Sequence, residues 1–250
     1  MYISRRDFLK FFISVSAVSS LTANAISVSA LSDTLLSPLP NIDIGGIIRP
    51  PGALIEKAFR ARCISCGVCV NVCHVMKYNS IAVVGIRDLR NFGTPYVKDM
   101  RDFPCALCME CPRHCPTGAL QEIEKEKVAM GMALIDFGLC FGWNGDVCLS
   151  CSKACPMGAR IFDFYHGLWG NQPYINENCV GCGLCVKYCP LGGSAVKVIT
   201  RGQYEKVKTE YLIGFKNLLE MQAEDRYNIV YSRNLPEILA RGRLIEREYR

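Results

Sequence analysis

Sixteen of the 250 residues are cysteine, and all sixteen fall into four groups of four. Three groups share one spacing, with two, two and three residues between successive cysteines: Cys63, Cys66, Cys69 and Cys73; Cys105, Cys108, Cys111 and Cys115; Cys179, Cys182, Cys185 and Cys189. The remaining group, Cys140, Cys148, Cys151 and Cys155, opens with seven intervening residues and keeps the regular ending. The regular spacing is the bacterial iron–sulfur run, in which three cysteines bind one cluster and the fourth binds its neighbour. Soft thiolates suit such centres, and four ligands per group suit cubanes rather than mononuclear iron. A disulfide framework has no reason to repeat that run, so disulfides and zinc are set aside. The sixteen cysteines are therefore the candidate ligands of four [4Fe-4S] clusters, each group giving three ligands to one cluster and one to its partner's. In the irregular group Gly145 occupies the regular ligand position, so only Cys140 can complete the set. Gly142 and Asn144-Gly145 turn the intervening loop, which lets Cys140 reach the cluster from farther back.

Other residues near these groups carry less chemistry. Cys69 to His74 imitates a haem-attachment motif, but three residues separate the cysteines instead of two. His74 and His114 read as surface residues after turns, with tuning of an adjacent cluster as the sharper alternative. His166 and Trp169, in a Gly-rich loop, read as a packed aromatic anchor rather than an electron relay. Pro104 and Pro112 shape the chain beside cysteines. Gly45-Gly46 and Gly192-Gly193 are turn signals only, and neither a Rossmann fingerprint nor a P-loop is present. No catalytic site of the chain's own is expected; an electron carrier needs no general base or nucleophile.

Positioning sixteen ligands requires short elements around tight turns. Leu54, Ile55, Ala58 and Phe59 lie at helical spacing before the first group. Short strands are expected at Ile81 to Ile86, Val128 to Ile135, Tyr174-Ile175 and Ala195 to Ile199. The expected fold class is α+β, with tandem bacterial 2[4Fe-4S] ferredoxin-like modules. The intervals between groups hold 31, 24 and 23 residues. The repeat is internal, and these lengths leave nested and sequential pairing of the groups both open.

Lys and Arg outnumber Asp and Glu by 29 to 23. Oxidised four-thiolate cubanes carry about −2 each, which would bring the net charge of +6 to about −2. The basic excess thus reads as compensation for anionic clusters, and no nucleic-acid partner is expected. Residues 1–30 read as an export signal: twin arginines Arg5-Arg6 precede Phe8-Leu9, a moderately apolar stretch follows, and Ala23-Asn24-Ala25 fits a cleavage site. An uncleaved membrane anchor is the alternative reading. Residues 31–49 read as a linker, 50–200 as the four-cluster domain and 201–250 as a C-terminal helical extension. In that extension Val207, Tyr211, Leu212, Phe215, Leu218 and Leu219 share a helical face, and an Arg-rich segment from Arg226 ends the chain.

The chain resembles the NapG/MauM family of periplasmic ferredoxin-type proteins. The resemblance rests on the twin-arginine start, Arg49-Pro50-Pro51-Gly52-Ala53, Gly93-Thr94-Pro95-Tyr96, the stretched third group and Cys179-Val180-Gly181-Cys182-Gly183-Leu184-Cys185. It implies electron transfer in the periplasm, from a NapH-like membrane quinol dehydrogenase subunit, through a cytochrome or reductase, toward periplasmic nitrate reductase. Peripheral association with the inner membrane through that partner follows. The same resemblance admits a MauM-type carrier for methylamine dehydrogenase, or the iron–sulfur beta subunit of a molybdenum oxidoreductase. Similarity to beta subunits of the DMSO-reductase class implies nested pairing: Cys63, Cys66 and Cys69 with Cys189; Cys179, Cys182 and Cys185 with Cys73; Cys105, Cys108 and Cys111 with Cys155; Cys140, Cys148 and Cys151 with Cys115.

Overall fold

The computed structural model describes residues 46–145, 147–167, 170–191, 194–222 and 225. The export signal, the linker up to Gly45, Trp169, the Gly192-Gly193 turn and the tail from Arg226 lie outside the described residues. The described elements are short, as a chain wrapped round its own cysteines must be. Helix α1 spans Glu56–Arg62 and α2 spans Val68–Val75; strands β1 (Ile81–Val83) and β2 (Pro95–Val97) follow, then the one-turn helix α3 (Glu110–Arg113). Strand β3 (Met132–Ile135) leads to the one-turn helix α4 (Ser150–Lys153), and β4 (Phe162–Gly167) pairs with β5 (Gly170–Ile175). Helix α5 (Leu184–Tyr188), β6 (Val196–Ile199) and the long α6 (Arg201–Glu220) complete the order. Among the described residues the elements are mixed α and β, and each expected strand segment overlaps a strand, though each of the three sheets has only two strands.

The three sheets do different work. Antiparallel β1–β2 fills the interval between the first two cysteine groups, and antiparallel β4–β5 fills the interval between the last two. Each hairpin turns the chain straight back on itself. Antiparallel β3–β6, with Met132 opposite Ile199, joins the middle of the chain to its later part. All four residues of β3 are buried, so this strand runs through the main core.

Residues 48 and 49, read as the end of a linker, pack into the fold. Arg49 is 6% exposed, and Ile48 accepts a backbone hydrogen bond from Val97. The Arg49 guanidinium donates to both carboxylate oxygens of Glu56, at 2.6 and 3.0 Å, and to Thr94 Oγ1, the Pro95 carbonyl and Asn91 Oδ1. It also lies over the Phe59 ring, 4.8 Å from the centroid. A buried guanidinium is tolerated only with its donors satisfied in this way. The clasp ties the start of the fold to α1 and to the base of the β1–β2 hairpin. It also joins two of the motifs that carry the family resemblance, Arg49 to Ala53 and Gly93 to Tyr96. Gly52, at φ +76°, meets the Gln121 carbonyl, and Ala53 bridges to Leu120.

Helix α6 starts at a reciprocal cap, in which Thr200 accepts from the Gln203 amide and Gln203 Oε1 accepts from the Thr200 amide. Its expected apolar face is present: Tyr211 and Phe215 are buried, and Val207, Leu212 and Leu218 pack against the core, while Leu219 is 37% exposed. Tyr204 joins that face, one turn before the expected stretch. The Tyr211 hydroxyl accepts from Ile135 N and donates to Ile135 O, so α6 is bolted to β3. Among the described residues, no helix is long and apolar enough to cross a membrane.

Candidate metal centre: four cysteine quartets

The structure gathers the sixteen cysteines by position along the chain. Cys63, Cys66, Cys69 and Cys115 line one recess, and the three other thiols add to the upward push that burial gives Cys69, to about 11. Cys111 is raised by burial and then by Cys105 and Cys108, with Cys73 also in reach. Cys151 is raised to about 12 by burial, Cys148 and Cys189, and Cys140 to about 12 by burial and Cys151. Cys155, Cys179, Cys182 and Cys185 line another recess. The quartets are therefore 63/66/69/115, 105/108/111/73, 140/148/151/189 and 179/182/185/155. These sets differ from the nested pairing implied by resemblance: Cys115 and Cys73 exchange within the first two groups, and Cys189 and Cys155 within the last two. The hairpins are the physical reason. Because β1–β2 and β4–β5 each return the chain directly, each group meets its neighbour in sequence before any more distant one.

The backbone around the quartets is shaped for an anion. In the first group Ser65 and Gly67 have φ of +56° and +74°; in the second, Leu107 and Met109 have +54° and +62°; in the fourth, Gly181 and Gly183 have +75° and +83°. The residues flanking the second cysteine are thus left-handed in all three regular groups. Alternating hand turns successive N–H groups into a concavity of the kind that binds anions and iron–sulfur centres. Leu107 N points at Cys105 Sγ, at 3.5 Å. The last cysteine of each regular group also accepts a downstream amide: Cys73 from Ser80 at 3.2 Å, Cys115 from Leu120 at 3.4 Å and Cys189 from Ala195 at 3.3 Å. At Cys115 burial works to raise the thiol, but the amides of Leu120 and Thr117 and the Thr117 hydroxyl hold it below its usual value. Beside Cys179, Arg201 donates to the Cys179 and Glu177 carbonyls, while its buried Nε has no acceptor in the protein.

Among its described residues the stretched group has no left-handed pair flanking its second cysteine, although Gly145 has φ +91°. Leu149, before Cys151, has φ −121°. A 3₁₀ turn over Phe141–Trp143 takes its place, and the Trp143 amide donates to the Cys140 carbonyl at 3.0 Å. Trp143 is 1% exposed, donates Nε1–H to the Pro173 carbonyl at 2.8 Å and packs on Phe137 and Phe215. It is a core anchor. Asn144 donates to the Cys140 and Gly138 carbonyls and closes the loop.

These residues fit cubane clusters on three counts: four soft thiolates per site, amide concavities and mutual spacing. All sixteen cysteines are free thiols. Among the described residues, no three His, Cys, Asp or Glu side chains converge closely enough for a single ion. A lone zinc would need sulfurs about 2.3 Å from one point, whereas a multi-iron centre holds its ligands apart. The quartets also form a line. Cys69 is in electrostatic reach of Cys111, Cys105 of Cys182, and Cys185 of Cys151. Cys105 N also donates to the Cys182 carbonyl at 2.9 Å. The order is 63/66/69/115, 105/108/111/73, 179/182/185/155 and 140/148/151/189.

The other candidates lie outside this machinery. His74 and His166 are exposed and bond Asn79 and Asn171, both at 2.6 Å. His114, also exposed, bonds the Glu110 carbonyl at 2.9 Å. Pro104 and Pro112 are buried beside cysteines. Sequence reasoning missed Arg49 as an anchor and the left-handed pairs; the glycines at 67, 181 and 183 were the available signal for the latter.

Comparison with known proteins agrees with two modules. A model described as a 4Fe-4S dicluster domain matches residues 62–119, and a second of the same description matches residues 143–193. The methylamine utilization ferredoxin-type protein MauM of Paracoccus denitrificans is 35% identical over 193 residues, covering 72% of this chain and 84% of that protein. MauM of Methylobacillus flagellatus is 34% identical, covering 62% and 69%. The ferredoxin-type protein NapG of Escherichia coli is 34% identical, covering 61% and 70%. No solved structure matches. With two dicluster modules and relatives of both kinds at this level, the chain is an iron–sulfur electron-transfer protein and belongs to the NapG/MauM family of ferredoxin-type proteins.

Proposed function

We propose that the sixteen cysteines hold four [4Fe-4S] clusters and that the chain is exported folded to the periplasm by the twin-arginine route. There it takes electrons from a NapH-like membrane quinol-oxidising partner and passes them, through a cytochrome, toward periplasmic nitrate reductase. The observation that carries this reading is the unbroken line of four quartets, which suits conduction through the chain better than four separate structural staples. When bound, the clusters supply one-electron redox centres. The chain's own residues hold them by thiolate, direct amide hydrogens at the cysteine sulfurs and keep water from most of the ligands. No residue is asked to move a proton.

The nitrate role rests on the NapG relatives. A second reading, service to methylamine oxidation, is favoured by one observation: the alignment with Paracoccus MauM extends over 193 residues, against 165 for Escherichia NapG. Anaerobically purified protein should contain about sixteen iron and sixteen sulfide per chain. It should be reduced by quinol only when the membrane partner is present, and should then reduce the nitrate branch faster than the methylamine branch. About eight of each element, or clusters that stay oxidised with every donor, would refute the proposal.

A further inference from the structure

A line of four quartets has two ends, and they differ in access. In the 63/66/69/115 quartet Cys66 is exposed and the other three cysteines are partly buried, whereas each other quartet has three buried cysteines. Apolar side chains stand round the open end. Ile64, two residues before Cys66, is 66% exposed, and Val83, which lines the same recess, is 49% exposed. The β1–β2 hairpin leans on this loop where Gly93 meets Ser65, and its connection presents Ile86, Leu89 and Phe92, exposed by 75%, 82% and 55%. Scattered apolar residues need no account; a group of them at the open end of a redox line does.

The charges there are mainly of one sign. Arg87 and Arg90 alternate with the apolar residues of the hairpin connection, and Lys57, Arg60 and Arg62 stand exposed on α1 leading into Cys63. Of the nearby carboxylates, Asp88 is bonded to Asn91, and Glu56 is held by Arg49. The Arg49 clasp thus neutralises Glu56, which Arg60 also approaches to 3.7 Å, while fixing the hairpin base through Asn91 and Thr94.

Resting on the reading of the quartets as cluster ligands, we infer that this face is the port for electron exchange with a protein partner whose docking surface has an apolar centre ringed by carboxylates. In the exchange the reduced partner loses one electron and this chain gains it, with no bond made and no proton moved. The basic rim steers the encounter, and the apolar residues exclude water on contact. An interface of this kind belongs to the small, transient class.

The test uses the full-chain holoprotein in stopped-flow reduction by two donors. Reduced flavodoxin is the probe for a small acidic protein partner, and photoreduced deazaflavin is the small uncharged control. The double variant Arg87→Glu/Arg90→Glu should slow reduction by flavodoxin about tenfold at low salt and flatten its salt dependence. The triple variant Ile86→Ser/Leu89→Ser/Phe92→Ser should also slow it, with iron content and deazaflavin rate unchanged in both. Val147→Glu, beside Cys148 at the opposite end, should leave the flavodoxin rate as it was. Unchanged rates in both hairpin variants, or an equal loss from Val147→Glu, would overturn the port. So would a hairpin whose only measurable role is binding to anionic lipid vesicles or pairing with a second copy of this chain. A wild-type chain without clusters would instead defeat the underlying cluster reading.

Discussion

Replacing Arg49 tests whether the clasp at the start of the fold supports the first quartet. The guanidinium makes five hydrogen bonds, two of them to Glu56, and is almost fully buried. Bonds to a charged group contribute about 1.5–3 kcal/mol each, and breaking a buried ion pair costs about 3–5 kcal/mol. Two features of the site pull the total down. The Glu56 side chain is 48% exposed and regains water when its partner is lost, and Thr94 Oγ1 also bonds the Asn91 carbonyl. Arg49→Ala should therefore destabilise the holoprotein by about 3 kcal/mol, the low end of the buried-pair range. Arg49→Lys should lose about 2 kcal/mol, since an ammonium cannot span both Glu56 oxygens and three further acceptors. Against a total stability of about 5–15 kcal/mol either loss is measurable. Urea titration followed at the cluster absorbance, with iron release as second readout, checks it. A loss under about 1 kcal/mol for Arg49→Ala would refute the clasp as a support of this module.

Other substitutions separate the remaining claims. Cys115→Ser should alter the same spectroscopic centre as Cys63→Ser; alteration of the Cys140→Ser centre instead would restore nested pairing. Phe215→Ala removes a ring that contacts Phe137, Trp143, Tyr165 and Tyr174, and should cost about 3–5 kcal/mol in thermal or urea unfolding. Acid should weaken the Arg49–Glu56 pair. The hydrogen bond from Arg49 holds the Glu56 carboxyl below its ordinary value of 4.5, so the pair's contribution is full above that value and is lost as pH falls through the lower folded value. The stability gap between wild type and Glu56→Gln should accordingly shrink between pH 6 and pH 3, measured by denaturant titration.

The cysteine groups were legible because iron–sulfur spacing is local: three cysteines of each quartet lie within a few residues of one another. The short strands were legible too, as apolar runs such as Met132 to Ile135. The fourth cysteine of each quartet was not, because its partners depend on how the intervening chain returns. The decisive feature was the length of antiparallel pairing inside two intervals, Ile81 to Val97 and Phe162 to Ile175, and the second had read as a strand end plus a Gly-rich loop. Arg49 was hidden for a different reason. Its sequence neighbours Pro50, Pro51 and Gly52 are those of a linker, whereas its partners Asn91, Thr94 and Pro95 lie more than forty residues away. Leu107 and Met109 gave no sign of left-handed backbone because neither is glycine. Only register with Gly181 and Gly183 could have suggested it.

The stretched third group then has a physical account that its siblings lack. Each regular group shapes the backbone beyond its first cysteine with two left-handed residues, at about 1–2 kcal/mol of steric cost where the residue is not glycine. The third group instead delivers Cys140 from a turn held by the core, with Trp143 bonded to Pro173 and packed on Phe137 and Phe215. Gly142 is needed there because an added Cβ would come within 3.0 Å of the Asn171 carbonyl and the Pro173 ring. Phe215 belongs to α6, which lies beyond both dicluster matches, the second of which ends at residue 193. The geometry of Cys140 thus depends on a helix outside the ferredoxin modules. Helix α6 is accordingly part of the support for the inner end of the line, and the stretched spacing is the sequence trace of that dependence.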